Sequence, residues 1–306
     1  MSEPSGDSHH ARLIARCAGR AAILTAVVHP CDRLALEGAL ACARAGLIVP
    51  VLVGNERKIR AVARDAAADL GEYRIVEAAH SHEAAAVAAA LARDGRVEAI
   101  MKGSIHSDEL LHEVVRPDSG LHTQRRMSHA YVVDLPNREE PLIVTDAAIN
   151  VLPTLAQKRD IAANAIDLAK ALEMPAVRVA VLSAVETVNA SIPSTLEAAA
   201  LAKMAERGQI AGAVVDGPMA LDDAVDEAAA REKGLKSGVA GRANVLVVPN
   251  FESGNMLAKA LILLAGAAAA GIVLGARVPV ILTGRADGVS TRLASAAIAL
   301  LLARRS

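Results

Sequence analysis

The stretch PVILTGRADG (279–288) sets one guanidinium, Arg285, and one carboxylate, Asp287, between Gly284 and Gly288 at the end of an apolar run. Arg285 can clamp a phosphate or carboxylate through two parallel N–H bonds. Asp287 can accept a proton from a nucleophile, or cap the helix expected to begin near Val289. Thr283, just before the glycine, adds a hydroxyl. In FESGNMLAKAL (251–261), Ser253, Gly254 and Asn255 precede an apolar helical stretch. Either their backbone N–H groups are free for an anion, or they form a plain N-cap. Arg125–Arg126 is a second cationic pair or a solvated surface feature, and Lys102 opens the polar turn MKGSIHS (101–107).

Other chemistries lack their residues. There is no GxGxxG after a strand and no GxxxxGK[ST], so neither a dinucleotide fingerprint nor a P-loop is present. His80, His82, His106, His112, His122 and His129 form no HExxH and no His–Cys zinc spacing. They are expected on the surface or at helix caps, and no metal is expected. MKGSIHS lacks the second glycine of a GxSxG nucleophile elbow.

Composition narrows the class further. Tyr73, Tyr131 and Phe251 are the whole aromatic set, which leaves no platform for stacking nucleic-acid bases. A formal charge of −1 gives no global field for nucleic acid or an anionic membrane. The start, MSEPSGDSHH, lacks the apolar core of a signal peptide. The longest apolar run, Met256 to Val280, is broken by Lys259, glycines and Arg277, and reads as helix–turn–strand rather than a membrane span. Three cysteines without CxxC spacing fit reduced thiols of a cytoplasmic protein.

The elements that must position these groups alternate. Short β-branched runs at 21–28, 47–54, 73–78, 97–101, 130–135, 141–146, 178–183, 210–216, 244–249, 271–276 and 278–282 read as strands. Ala-rich stretches at 32–46, 81–95, 160–173 and 194–208 read as helices; Ser194 and Glu197 fit a capping box, and Gly208 closes the last of them. Apolar strands separated by helices imply parallel sheets covered on both faces. The strands flanking PNREE break the alternation and suggest a hairpin or a domain junction. In such sheets ligands bind beyond the carboxyl ends of the strands. The candidate turns are therefore 101–107, 145–150, 183–189, 216–224, 249–255 and 283–288.

Taken in order, MKGSIHSDELL, GLHTQRRMSHAYVVD, PLIVTDAAINVLP, VAVLSAVETVN, VLVVPNFESGNMLAKAL and GIVLGARVPVILTGRADGVSTRLASAAIAL resemble the phosphate acetyltransferase/phosphate butyryltransferase family. The likeness runs from about residue 95 to the end, more loosely from residue 20, and is greatest to the branch that accompanies an enoyl-CoA hydratase domain. It implies a two-domain α/β fold like isocitrate and isopropylmalate dehydrogenases, with parallel or mixed sheets and an interdomain cleft. Residues 1–135 with 284–306 would form the first domain and 136–283 the second. It also implies a homodimer or higher homo-oligomer, no cofactor, and the reaction acyl-CoA + phosphate ⇌ CoA + acyl phosphate without a covalent enzyme intermediate.

In the family a Ser-Arg pair after the last strand binds the reacting centre. The Arg falls on Arg285, and Gly284 stands where the Ser is expected. On this reading Arg285, Asp287 and Thr283 are catalytic. Lys102, Arg125, Ser253, Gly254, Asn255 and Gly284 bind substrate. Gly284 also motivates an alternative, a weakly active or non-catalytic CoA-binding homologue. A metal-dependent decarboxylating dehydrogenase would need clustered aspartates, and Asp222–Asp223 lies in an ordinary amphipathic context.

Overall fold

The computed structural model describes residues 9–284 and 287–304. The chain divides into two compact units, Met1–Arg125 with Ala270–Ser306, and Arg126–Ala269. The divisions fall earlier than the 135/136 and 283/284 boundaries read from the sequence.

The first unit contains α1 (His9–Arg16), β1 (Ile23–Val28), α2 (Arg33–Arg44), β2 (Ile48–Gly54), α3 (Glu56–Asp65), β3 (Ile75–Glu77), α4 (Ser81–Arg93), β4 (Ala99–Lys102) and α5 (Ser107–Val115). The second runs through β5 (Ser128–Asp134), β6 (Leu142–Thr145), α6 (Leu155–Ala171), β7 (Arg178–Leu182), α7 (Pro193–Glu206), β8 (Val214–Met219), α8 (Leu221–Val225), α9 (Glu227–Glu232), β9 (Val245–Val247) and α10 (Phe251–Leu264). The chain then returns through β10 (Ala268–Leu274), β11 (Val280–Ile281) and α11 (Val289–Ala303).

In the first unit the strand order is β3-β2-β1-β4-β11-β10. The first five strands are parallel, while β10 and β11 pair antiparallel. Burial on both faces is what makes β1, β2 and β4 nearly continuous apolar runs. The helices bury alanine faces, such as Ala84, Ala85, Ala88, Ala89 and Ala92 of α4. Small side chains let α11 lie close against α1 and α2. With few aromatics, each buried Leu or Ile contributes about 1.5–3 kcal/mol and the core relies on their number.

The second unit has strand order β5-β6-β9-β7-β8. Strands β5 and β6 form the antiparallel hairpin signalled by PNREE, and the others are parallel.

Local chemistry overrode the sequence reading in places. Pro193 takes the first position of α7, so Ile192 is its N-cap and the Ser194/Glu197 capping box does not form. Ser194 instead shares a 2.9 Å hydroxyl bond with Ser183, and Glu197 pairs with Lys158. Gly208, at φ +75°, does close the helix. Strand β8 starts later than expected because Gly212 turns at φ +88°, and it runs through Gly217 and Pro218. A proline is tolerated there because β8 is an edge strand of this unit. Gly217 is needed, since a Cβ would lie 2.6 Å from the Val181 carbonyl oxygen. DGPM is thus strand rather than loop. The antiparallel turn at GARVP was also missed; Gly275 turns there at φ +78°.

The histidine expectation holds for His80, whose Nδ1 caps α4 by accepting from the Glu83 N–H at 3.1 Å. It fails for His129 in β5, which is 0% exposed with neither ring nitrogen partnered and its ring edge-on to Tyr131, 4.6 Å between centroids. Burial pushes its pKa down to about 3. Unfolded, the ring titrates near 6.5. Above about pH 6.5 neither state binds the proton; below it only the unfolded state does, so stability falls as pH drops toward 3. The expected loss is about 1.4 kcal/mol per pH unit in that window. Urea midpoints at pH 7, 5 and 4 should shift in favour of His129→Leu relative to wild type as pH falls. Parallel profiles would assign the acid sensitivity elsewhere.

Candidate active site

In the first unit the chain order reverses between β1 and β4, which are spatial neighbours. Beyond the carboxyl ends of strands at such a reversal lies the usual ligand crevice of an open parallel sheet. The segments following β1, β4 and β11 all leave from that end.

The β1 and β4 segments are stitched together. The Gly103 N–H donates to the Val28 carbonyl at 3.0 Å, and the Ser104 N–H and hydroxyl donate to the His29 carbonyl at 3.0 and 2.6 Å. The Cys31 N–H donates to Ser104 Oγ at 3.1 Å. His29 sits at φ +52°, a left-handed conformation costly for a residue with a Cβ and found where surroundings over-determine it. Burial, then Lys58, hold its imidazole below the usual range, and burial raises the neighbouring Cys31 thiol, 3.7 Å from His29 Nδ1. Both shifts favour the neutral forms.

Buried cations gather at the same end. Lys102, the last residue of β4, is 1% exposed, and its carbonyl accepts from Arg292 at 3.4 Å. Arg292, in the first turn of α11, is 2% exposed; its Nε lacks a protein partner, and it makes no ion pair among the described residues. Burial lowers its pKa, opposed by Asp287, Asp32 and Cys42. Its slot exists because residue 38 in α2 is glycine, where a Cβ would lie 2.3 Å from Arg292 Cδ. Sequence reading missed Arg292: an Arg in a helix following TGRADG looks like solvated surface.

The TGRADG turn follows β11. Thr283 is 2% exposed, and its hydroxyl has no hydrogen-bond partner among the described residues. Buried polar groups are nearly always paired, so an orphan hydroxyl at a strand end marks a place for a ligand atom or water. Asp287 Oδ2 accepts the Gly284 N–H at 2.5 Å. Helix α11 is capped by Gly288 without a side-chain bond, so Asp287 closes the turn rather than capping the helix. A Cβ on Gly284 would meet Asp287 Oδ1 at 3.0 Å, so a serine there would stand against this carboxylate. Arg285 lies outside the described residues.

The SGN segment departs from the anion-site expectation. Asn250 caps α10, so Ser253, Gly254 and Asn255 are already inside the helix. Asn250 Oδ1 takes the Ser253 N–H at 2.9 Å, and the Asn250 carbonyl takes that of Gly254 at 3.2 Å. Ser253, Gly254 and Asn255 do not form the N-cap either: Asn250 is the N-cap, and Ser253 completes its capping box from the first turn. Gly254 lets the helix approach the β6 loop, since a Cβ would lie 2.4 Å from the Asp146 carbonyl oxygen, and Asn255 Nδ2 donates to the Ala147 carbonyl at 3.2 Å.

That β6 loop holds a network within the second unit. Asp146, 3% exposed, accepts from the N–H groups of Ala148, Ile149 and Asn150 and from Asn150 Nδ2. Burial raises its pKa while these bonds oppose the shift. Asn150 Oδ1 in turn accepts Arg126 Nε at 2.7 Å. Of the arginine pair it is therefore Arg126 that this network grips. Arg125 sits in a turn in the first unit, its N–H donating to Thr123 Oγ1 at 3.1 Å. Among the described residues no group of three or more His, Cys, Asp or Glu is placed to hold a metal.

Comparison with known proteins assigns the chemistry. A family model described as phosphate acetyl/butaryl transferase matches residues 79–300. A phosphate acetyltransferase of Rhizobium meliloti is 58% identical over 302 residues, 99% of this chain and 96% of that protein. A phosphate butyryltransferase of Clostridium acetobutylicum is 38% identical over 89% of this chain and 90% of its own. The crystal structure of a branched-chain phosphotransacylase from Enterococcus faecalis V583 matches with a TM-score of 0.78 and 27% identity, covering 93% of this chain and all of that one. Nothing in these likenesses favours the non-catalytic alternative. The chain belongs to the phosphate acetyl/butyryl transferase family and is an acyltransferase.

Proposed function

We propose that the chain catalyses acyl-CoA + phosphate ⇌ CoA + acyl phosphate by direct attack, with coenzyme A as a substrate and no cofactor. The observation that carries this reading is the 58% identity to a phosphate acetyltransferase over 99% of the chain. In the forward direction a phosphate oxygen attacks the thioester carbonyl, and the C–S bond breaks as the CoA thiolate leaves. In reverse, the thiol must lose its proton before attack. Asp287, with Oδ2 engaged by Gly284, is the proposed base, and Arg285 the phosphate clamp. The buried Thr283 hydroxyl supplies a donor for the developing oxyanion, and Lys102 adds positive charge at the same strand end. Arg125, Ser253, Gly254 and Asn255 retain at most a supporting place, the last three through the seating of α10.

The likeness to the branch accompanying an enoyl-CoA hydratase domain, and to isocitrate and isopropylmalate dehydrogenases, belongs to the same proposal. Two compact units with their own parallel strands support the latter. A cytoplasmic setting is supported by the free thiols of Cys17, Cys31 and Cys42. Among the described residues no helix is long and apolar enough to cross a membrane.

A homodimer is supported by one face of α10. Met256 (65% exposed), Leu263 (77%) and Leu264 (87%) are exposed along the helix, and Val151 (61%) and Leu152 (77%) are exposed at its start, where the Phe251 N–H donates to the Val151 carbonyl. Clustered exposed apolar side chains mark an interface. Glu252, Met256, Lys259 and Leu263 share a helical stripe, and neither charge has an ion-pair partner among the described residues. A two-fold axis beside Met256 would set each Glu252 against the other copy's Lys259, and Leu263 toward the other copy's Val151–Leu152.

The purified chain should release CoA thiol from acetyl-CoA or butyryl-CoA only when phosphate is added, with no added metal. Phosphate-independent release, or none, would overturn the reaction. Thr283→Val should lower kcat by about 10²-fold, the range for one lost oxyanion donor, with thermal stability unchanged or raised because an unpaired buried hydroxyl disappears. A fall in stability with kcat retained would make the hydroxyl structural. Gly284→Ser should raise the rate and Arg285→Ala abolish it; indifference to both would remove this turn from the mechanism. Leu263→Asp should convert a dimer to monomer in sedimentation, and an already monomeric wild type would refute the α10 interface.

A further inference from the structure

The amino ends of β4 and β11 lie at the far end of the first unit's strands from Thr283 and Asp287, and they border a cavity of about 530 Å³. That volume is within the usual range of small-molecule sites. The last turns of α4 and α11 form two walls, and the turn between β10 and β11 forms a third. The half-buried Val278, Pro279 and Leu302 supply apolar lining over the buried Val97 and Val273, and the charged lining residues are Arg93, Glu98 and Arg277.

These charges are not equivalent. Glu98 is committed to Arg304, which lowers its pKa, and to the Leu24 N–H. Arg93 is engaged by Asp94 at 2.9 Å. Arg277 has no acidic partner among the described residues; its one side-chain bond runs from Nη1 to the Gly120 carbonyl at 3.3 Å. Its backbone is fixed, with its N–H on the Leu121 carbonyl at 2.9 Å and a bridge between His122 and Ala276 beside it. The same Gly120 packs against the Arg93 stem, where a Cβ would lie 2.6 Å from Cγ and Cδ. Two guanidinium side chains therefore meet one turn beside a cavity of mixed polar and apolar lining, and one of them retains unused donors.

We propose that this cavity binds a short-chain organic oxyanion, its head on Arg277 and its tail on the half-buried Val278, Pro279 and Leu302. A fixed guanidinium with free N–H groups selects a carboxylate or a phosphorus oxyanion. The apolar lining rewards a tail of several carbons. The carbonyl ends of α4 and α11 oppose an anion, but partial charges at helix ends are weaker than a charge-assisted guanidinium contact. The site is separate from the reacting turn: α11 begins just after Gly288 and ends at this cavity, spanning 15 residues and about 22 Å.

Calorimetric titration of the full chain with hexanoate and with hexylphosphonate tests this, using inorganic phosphate as the tail-less and hexanol as the head-less probe. At least one of the first two should bind at or below about 1 mM, and more tightly than either control. Hexanoate alone would identify a carboxylate site, and hexylphosphonate alone a phosphorus oxyanion site. Arg277→Met should weaken binding about tenfold or more, and Ala303→Trp, which fills the cavity, should abolish it, while both keep the wild-type melting temperature within a few degrees and the phosphate-dependent thiol release. Saturating CoA should not compete. Binding that CoA displaces, binding indifferent to both substitutions, or no preference over the controls would overturn the proposal. If Ala303→Trp fails to fold, Arg277→Met against Arg277→Lys, which keeps the charge, decides alone.

Discussion

Gly103 has no room for a side chain, since a Cβ there would lie 2.2 Å from the carbonyl oxygen of Val28. This close approach of two backbones, where β1 and β4 end side by side, fixes much of the first unit. With the gap closed, Ser104 reaches the His29 carbonyl, and the β1 loop turns through a left-handed His29 before α2 begins. Asp32 then caps α2 by accepting the Ala35 N–H at 2.7 Å. The register carries the constraint onward: Ile281 pairs with Met101, so Thr283 leaves β11 beside the segment that Gly103 begins. The place of the orphan hydroxyl therefore follows from an absent methyl group at the end of the neighbouring strand.

The same end of the unit carries an unusual electrostatic load. A buried guanidinium without an ion-paired carboxylate is expensive, because desolvation is not offset by a contacting opposite charge. Arg292 is in that position, and Lys102 is buried one carbonyl bond away. A protein that needed only to be stable would place an apolar side chain in the slot left by Gly38. A protein that must attract phosphate to a dry site gains from fixed positive charge, whose interaction with an anion is stronger where water is excluded. Burial works against the charge on Arg292, and Asp287 and Asp32, neither of them ion-paired with it, oppose that effect.

Periodicity made the strands and helices legible, because burial on both faces writes continuous apolar runs and alanine faces repeat at helical spacing. Errors clustered where one residue changes the local rule. Pro193 moved the start of α7 and dissolved the Ser194–Glu197 box; Gly212 delayed β8; Gly275 turned an expected parallel strand back on itself. In the candidate site, TGRADG stood out because an apolar run delivers it, and the unpaired Thr283 hydroxyl agrees with that emphasis. SGN misled, since the motif for a free helix terminus is also that of a self-satisfied one, and only the capping role of Asn250 separates them. His129 shows the opposite failure. A polar residue in SHAYVVD looks solvent-facing, yet the unit closes over it because β5 pairs with β6 and packs under α6 and α10.

Gly284 gains its meaning from geometry that composition cannot show. Without a Cβ, its N–H lies within 2.5 Å of Asp287 Oδ2, and the turn closes on that bond. A serine would bring its Cβ to 3.0 Å from the other carboxylate oxygen, so the carboxylate would have to yield by a few tenths of an ångström. A serine side chain here and the carboxylate of Asp287 would thus compete for one small volume. In this chain the carboxylate holds it, and the nearest buried hydroxyl is one residue earlier, at Thr283. The proposed oxyanion donor, Thr283, thus works without a second hydroxyl beside it, and a serine at 284 would add that hydroxyl only as the Asp287 carboxylate gives way by those few tenths of an ångström.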